Sequence, residues 1–150
     1  GKAWRGRRVL ELGCGLALPS IAAALRGGRV LATDWSPDAL ALLAENARRN
    51  GAPLETARCS WGEPEPLLAG APWDAVLAAD VLYERRNVGL LLDLLPRLVD
   101  GGGEVLLADP GRPLLASFLE AAAEDWRIER RVDPVSQRVS VFRLRRRSAA

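Results

Sequence analysis

Gly13 and Gly15, one residue apart, follow a hydrophobic run in the stretch VLELGCGLALPS (residues 9–20). Glycine at 13 lets the chain turn sharply, and glycine at 15 lets a ligand approach the backbone. A helix opening near Leu16 would present free N–H groups to that ligand. Asp34 lies 19 residues after Gly15, at the end of the next hydrophobic run. An acid in that place accepts hydrogen bonds from two ribose hydroxyls. Trp35 follows it, placed to cover one face of an adenine. Each residue has a plainer alternative: a turn that is tight for steric reasons, an Asp34 that caps the helix opening near Ser36, a Trp35 that packs at an edge. A nicotinamide dinucleotide is disfavoured. Its G-x-G-x-x-G pattern needs a third glycine where this chain has Leu18, followed by Pro19.

The elements that must position these residues alternate along the chain. Arg8 to Leu12 reads as a strand, Leu16 to Leu25 as a helix and Arg29 to Thr33 as a strand. Ser36 caps a helix with Pro37 at its first position, and Asn50-Gly51 ends it. Leu54 to Cys59 reads as a third strand, followed by a loop with one helical turn near Leu67. Asp74 to Ala79 is a fourth strand, apolar enough to be buried on both faces. Arg86 to Leu98 has a helical apolar face made by Leu90, Leu91, Leu94, Leu95 and Leu98. Glu104 to Ala108 is a fifth strand and Leu114 to Glu124 a helix. Trp126 to Val132 and Arg138 to Leu144 close the chain as two strands. This order predicts an α/β fold: a doubly wound, Rossmann-like, seven-stranded sheet, mostly parallel, with an antiparallel edge from the closing strand pair and an antiparallel last strand. Ligands of such sheets lie beyond the carboxyl ends of the strands, where the Gly13 turn and Asp34 fall.

Composition narrows the chemistry. The 150 residues, 49% hydrophobic and 27% charged, are those of one folded domain. A net charge of +2 gives no reason to expect a nucleic-acid or membrane partner, and no apolar run is long enough to cross a bilayer. The basic tail FRLRRRSAA reads as a solvated, frayed terminus, the alternative being a phosphate contact. Histidine is absent, which removes Ser-His-Asp and Cys-His nucleophile systems and leaves no metal site to expect. Cys14 and Cys59 read as reduced thiols of a cytoplasmic protein, Cys14 meeting only the need for a small residue in its loop.

VLELGCG, the acid of ATDWS, CSWGE after the third strand and WDAVLAADVLYE at the fourth together resemble the class I S-adenosylmethionine-dependent methyltransferases. DVLY (Asp80 to Tyr83) resembles the Asp-x-x-Tyr motif of the seven-β-strand protein-lysine methyltransferases. DPGRP (Asp109 to Pro113) resembles the branch that methylates the β-subunit of electron-transfer flavoprotein. The similarity runs from about Arg7 to Arg143. It implies S-adenosylmethionine as cofactor, with Glu11 holding the methionine ammonium and Gly13 and Gly15 passing close to the methionine and ribose. It further implies Asp34 on the ribose hydroxyls and Trp35 and Trp61 flanking the adenine. Ser60 stands where relatives often have an acid for the adenine amino group. Relatives usually also carry a segment before the first strand, where this chain has only GKAWRGR, Trp4 being either its remnant or a residue packed on the sheet.

A protein bearing a lysine is then the expected partner. An amine with a pKa near 10.4 is only about one-thousandth neutral at pH 7.4, a deficit of roughly 4 kcal/mol. Burial beside a sulfonium lowers that pKa. Asp80 would orient the amine together with carbonyls near Ala79, and Tyr83 would line the channel. The plain alternative for this pair is a capped turn with a packed ring. Asp109 and Arg112 read as substrate-side or gate residues, or as an internal ion pair. Nucleic-acid base methyltransferases show Asn/Asp-Pro-Pro-aromatic at the fourth strand, and this chain has no proline there. A small-molecule amine methyltransferase and a cofactor-binding module with little catalysis are the remaining readings.

Overall fold

The computed structural model describes residues 4–13, 18–132 and 138–148. The elements are β1 (Arg8–Leu12), α1 (Leu18–Leu25), β2 (Arg29–Asp34), α2 (Pro37–Arg49), β3 (Glu55–Arg58), α3 (Glu65–Leu68), β4 (Ala75–Ala79), α4 (Arg85–Leu98), β5 (Glu104–Asp109), α5 (Leu115–Ala122), β6 (Trp126–Val132) and β7 (Ser140–Arg146). One seven-stranded sheet runs in the order β3-β2-β1-β4-β5-β7-β6. Strands β1 to β5 pair in parallel, and β7 is antiparallel to both β5 and β6.

The seven strands, the mostly parallel pairing and the antiparallel last strand are as expected. The expected antiparallel edge is the β7–β6 pair, in which β7 lies between β5 and β6 and the outermost strand β6 runs with the parallel set. Arg145 and Arg146, expected in a frayed tail, are the last residues of β7, while Arg138 and Val139, expected in the strand, precede it.

Period-two alternation sends side chains to two cores. Leu10 and Leu12 of β1, Val76 and Ala78 of β4, and Val105 and Leu107 of β5 pack with Leu91, Leu94, Leu95 and Leu98 of α4 and Phe118 of α5. On the other face, Val9, Val30, Ala32 and Leu77 pack with Ile21 and Ala24 of α1 and Leu43 and Ala47 of α2. The same alternation turns Glu11 toward α1. Helix α2 begins as its sequence dictates: Ser36 Oγ accepts the Ala39 N–H at 3.3 Å and Pro37 sits in the first turn. No described helix is long and apolar enough to cross a membrane.

Candidate active site at the carboxyl ends of the strands

The register brings five strand ends together. Gly13 follows β1, Asp34 ends β2, Ser60 and Trp61 lie just beyond β3, Asp80 follows β4 and Asp109 ends β5. Gly13 has φ of +66°, the left-handed region where glycine is at home. A Cβ added there would lie 3.5 Å from Val81 Cγ1 and 3.8 Å from Trp61 Cζ2, so the turn sits against both the DVLY loop and the Trp61 ring. Gly15 and Cys14 lie outside the described residues.

Glu11 is the most unusual group. It is wholly buried, and one carboxylate oxygen accepts the Ser20 hydroxyl of α1 at 2.5 Å. Its Oε2 is buried and has no hydrogen-bond partner among the described residues. Burial in this dry setting pushes its pKa from 4.5 up to about 7; the Ser20 bonds pull against that, and the negative charge of Asp34 adds to it. Ser20 was not expected in the site. Sequence spacing gives no sign that a helical serine meets an acid nine residues earlier.

Asp34 is half-buried, and its Oδ1 accepts the Ser36 N–H at 2.9 Å. The local capping alternative is therefore realised at one oxygen, and the bond fixes the carboxylate at the end of β2. Trp35 is 66% exposed, its carbonyl held by Arg58 Nε at 2.9 Å. Its ring stands open at the edge instead of packing. The Ser60 hydroxyl accepts the Gly62 N–H at 3.3 Å, which closes a turn and presents the half-buried Trp61.

Beyond β4, Ala79 is half-buried and Asp80 takes φ of +51°, the one positive value at a non-glycine among the described residues. Aspartate tolerates this conformation better than most residues do. The Asp80 N–H donates to the Ala108 carbonyl at 2.8 Å. Its carboxylate takes both prongs of Arg112, Nε to Oδ1 at 2.8 Å and Nη2 to Oδ2 at 2.9 Å. Those bonds hold the Asp80 carboxyl below the usual carboxylate range. The buried Asn87 side chain donates to the Val81 carbonyl at 2.8 Å and anchors the loop from α4; it too was missed. Tyr83 is exposed.

Asp109 and Arg112 do not pair by their side chains. Asp109 is 1% exposed, and its Oδ2 accepts the N–H groups of Gly111 and Arg112, each at 2.8 Å. Its Oδ1 is buried and has no partner among the described residues. Asp109 thus shapes the loop that aims Arg112 at Asp80. Asp109 is buried at the end of β5, and Arg112 is exposed on the loop that follows.

Comparisons with known proteins place the chain in a family and match its fold. The sequence profile of a family described as lysine methyltransferase matches residues 1–121. EEF1A lysine methyltransferase 3 of Mus musculus is 33% identical over 153 residues, covering 98% of this chain and 65% of that protein. Electron transfer flavoprotein beta subunit lysine methyltransferase of Xenopus laevis is 36% identical over 117 residues, covering 75% of this chain and 46% of that protein. The chain therefore spans between about half and two thirds of the length of these relatives. Among solved structures, a ribosomal protein L11 methylase from Lactobacillus delbrueckii subsp. bulgaricus superposes with a TM-score of 0.72 at 25% identity, covering 96% of this chain and 72% of that one.

Proposed function

The chain belongs to the lysine methyltransferase family, and on that premise we propose that it methylates a protein lysine amine with S-adenosylmethionine. The observation that carries the proposal is the buried Oε2 of Glu11, without a partner among the described residues, two residues before Gly13 and close enough to Asp34 to feel its charge. A buried carboxylate oxygen without a donor is costly. An ammonium supplied by a ligand removes that cost, and S-adenosylmethionine carries one. The tight turn at Gly13 and the acid at the end of β2 suit the rest of the same molecule.

When bound, S-adenosylmethionine supplies a methyl group on an already electrophilic sulfonium, so the protein's task is placement. Glu11 would bind the ammonium, Asp34 the ribose hydroxyls, and Trp35 and Trp61 the adenine, with Ser60 at the same turn. Gly13 would keep a side chain out of the ligand's path, and Gly15 is assigned the same part from its place in the motif alone. Asp80 stays ionised at neutral pH because Arg112 holds it, so it is a poor proton acceptor and a good anchor. It would accept N–H bonds from the incoming amine, with the Ala79 carbonyl beside it and Tyr83 at the mouth. The amine's proton leaves to water. Asp109 acts through Arg112 as a positioning residue.

For the acceptor we propose the β-subunit of electron-transfer flavoprotein. The support is the DPGRP segment and the similarity to the Xenopus laevis enzyme. Methyl-labelled S-adenosylmethionine incubated with purified electron-transfer flavoprotein tests it. Label on a β-subunit lysine, lost in Asp80→Ala, is expected. Label on a different added protein, with none on the flavoprotein, would contradict the acceptor and leave the reaction class standing.

A further inference from the structure

Helix α4 buries one stripe along its length, made by Asn87, Leu91, Leu94 and Leu98. The spacing is that of a helix face turned to a core. Leucine fills three of these places, and asparagine fills the first, at the third position of the helix. Asn87 is 7% exposed. A buried amide costs free energy unless it is hydrogen-bonded, and a leucine there would bury without that demand. The amide is engaged in one specific way. Its Nδ2 donates at 2.8 Å to the carbonyl of Val81, six residues earlier, in the loop that joins β4 to α4. The Asn87 N–H donates to the Glu84 carbonyl at 3.1 Å. One residue of α4 therefore grips this loop at two points.

Val81 stands between the two halves of the site. Just before it, Asp80 takes its φ of +51°, with its N–H on the Ala108 carbonyl and its carboxylate on Arg112. A left-handed residue that carries a side chain persists only where its surroundings over-determine it. Those two tethers come from β5 and the loop after it. Asn87 supplies a third, from α4, one residue beyond Asp80. On its other side Val81 meets the glycine turn. Its side chain is buried, and its Cγ1 would lie 3.5 Å from a Cβ added at Gly13. A displacement of the Val81 peptide thus moves both the Asp80 backbone and the packing beside Gly13.

We infer that Asn87 is a positioning residue for the reaction: through the Val81 carbonyl it fixes Asp80 for the acceptor amine and the Gly13 turn for the cofactor. The inference rests on the methyl-transfer reading. Arg112 holds Asp80 alone, whereas Asn87 acts on both sides of Val81, so the two residues leave different signatures. Loss of Arg112 lowers kcat and spares cofactor affinity; loss of Asn87 lowers both. A buried asparagine that served stability alone would change neither while the protein stays folded.

Two variants test it. Asn87→Asp keeps the shape and, when ionised, has no N–H to donate; an acid suits the first turn of a helix. Asn87→Ala removes the donor without adding charge. Leu98→Val, at the far end of the same stripe, is the control for lost stability. Three quantities are read below the melting temperature of every protein. They are hydrogen exchange of the Asp80 amide relative to that of Leu77 in β4, affinity for S-adenosylhomocysteine, and kcat on purified electron-transfer flavoprotein. Both Asn87 variants should speed the relative exchange at least about tenfold, weaken the affinity at least about threefold and lower kcat at least about tenfold. Leu98→Val should change each by less than about twofold. If exchange or affinity is unchanged in both Asn87 variants, or if Leu98→Val matches them, the inference is overturned. An unchanged kcat on a flavoprotein that the wild type labels overturns it too. Should the wild type label no flavoprotein, the acceptor reading fails, while exchange and affinity still decide the part of Asn87.

Discussion

The Asp80 carboxylate and the Arg112 guanidinium meet in a two-pronged ion pair, 2.8 and 2.9 Å, that ties the residue after β4 to the loop after β5. Both side chains are nearly half exposed, so the pair adds little to stability. Its consequence is orientation. Arg112→Gln is expected to lower the methylation kcat by roughly 10–100-fold through misplacement of Asp80. Arg112→Lys keeps the charge, loses the fork and falls between the two. The affinity for S-adenosylhomocysteine should stay within about twofold in both, because neither change touches the Glu11 side of the site. Steady-state kinetics beside a binding titration separates the effects.

Glu11 opposes stability to binding. Its folded pKa, about 7, lies above its ordinary 4.5, so between those values the folded chain holds a proton that the unfolded chain has lost. Stability from this group is intact below about pH 4.5 and is lost as pH rises through 7. The full cost above pH 7 is roughly 3 kcal/mol. Glu11→Gln should therefore stabilise the ligand-free protein at pH 8, by roughly 1–3 kcal/mol, and give no gain near pH 4.5. Urea unfolding at the two pH values measures it. The same variant should bind S-adenosylhomocysteine more weakly, and in the wild type that affinity should fall as pH drops below 7.

Asp34→Asn keeps an oxygen for the Ser36 N–H and removes the charge and one acceptor. Hydrogen bonds to charged groups contribute about 1.5–3 kcal/mol, so S-adenosylhomocysteine affinity should weaken roughly 10–100-fold. The melting temperature should move by no more than a few degrees.

Asp109→Ala removes the acceptor of two N–H groups in the loop that carries Arg112. A stability loss of about 1–3 kcal/mol is expected, with a lower kcat and unchanged cofactor affinity. Thermal unfolding and kinetics on the same preparation check it. If kcat holds, Asp109 has no part in aiming Arg112.

Local signals in the sequence were read well because local physics fixes them. Strands β1 and β6 have the expected ends, and α2 starts at its Ser-Pro cap. Non-local pairing was not legible. Nothing in the residues of β7 says that it inserts between β5 and β6, and its arginines disguised its end as a tail. Asp34, Asp80 and Asp109 each end or follow a hydrophobic run, which puts them at the carboxyl edge of the sheet, and Glu11 lies one residue before the end of β1. Their partners were not legible. Ser20 meets Glu11 through a strand–helix contact, Asn87 holds the DVLY loop from α4, and Arg112 reaches Asp80 across 32 positions.

The central claim is that Glu11 and Asp34 together hold an adenosyl ligand against the Gly13 turn. Calorimetric titration with S-adenosylhomocysteine, for the wild type and the Glu11→Gln/Asp34→Asn double variant, tests it most directly. One saturable site per chain, weakened at least about 100-fold in the double variant, is predicted. No saturable binding at millimolar ligand, or equal affinity in the two proteins, would contradict it.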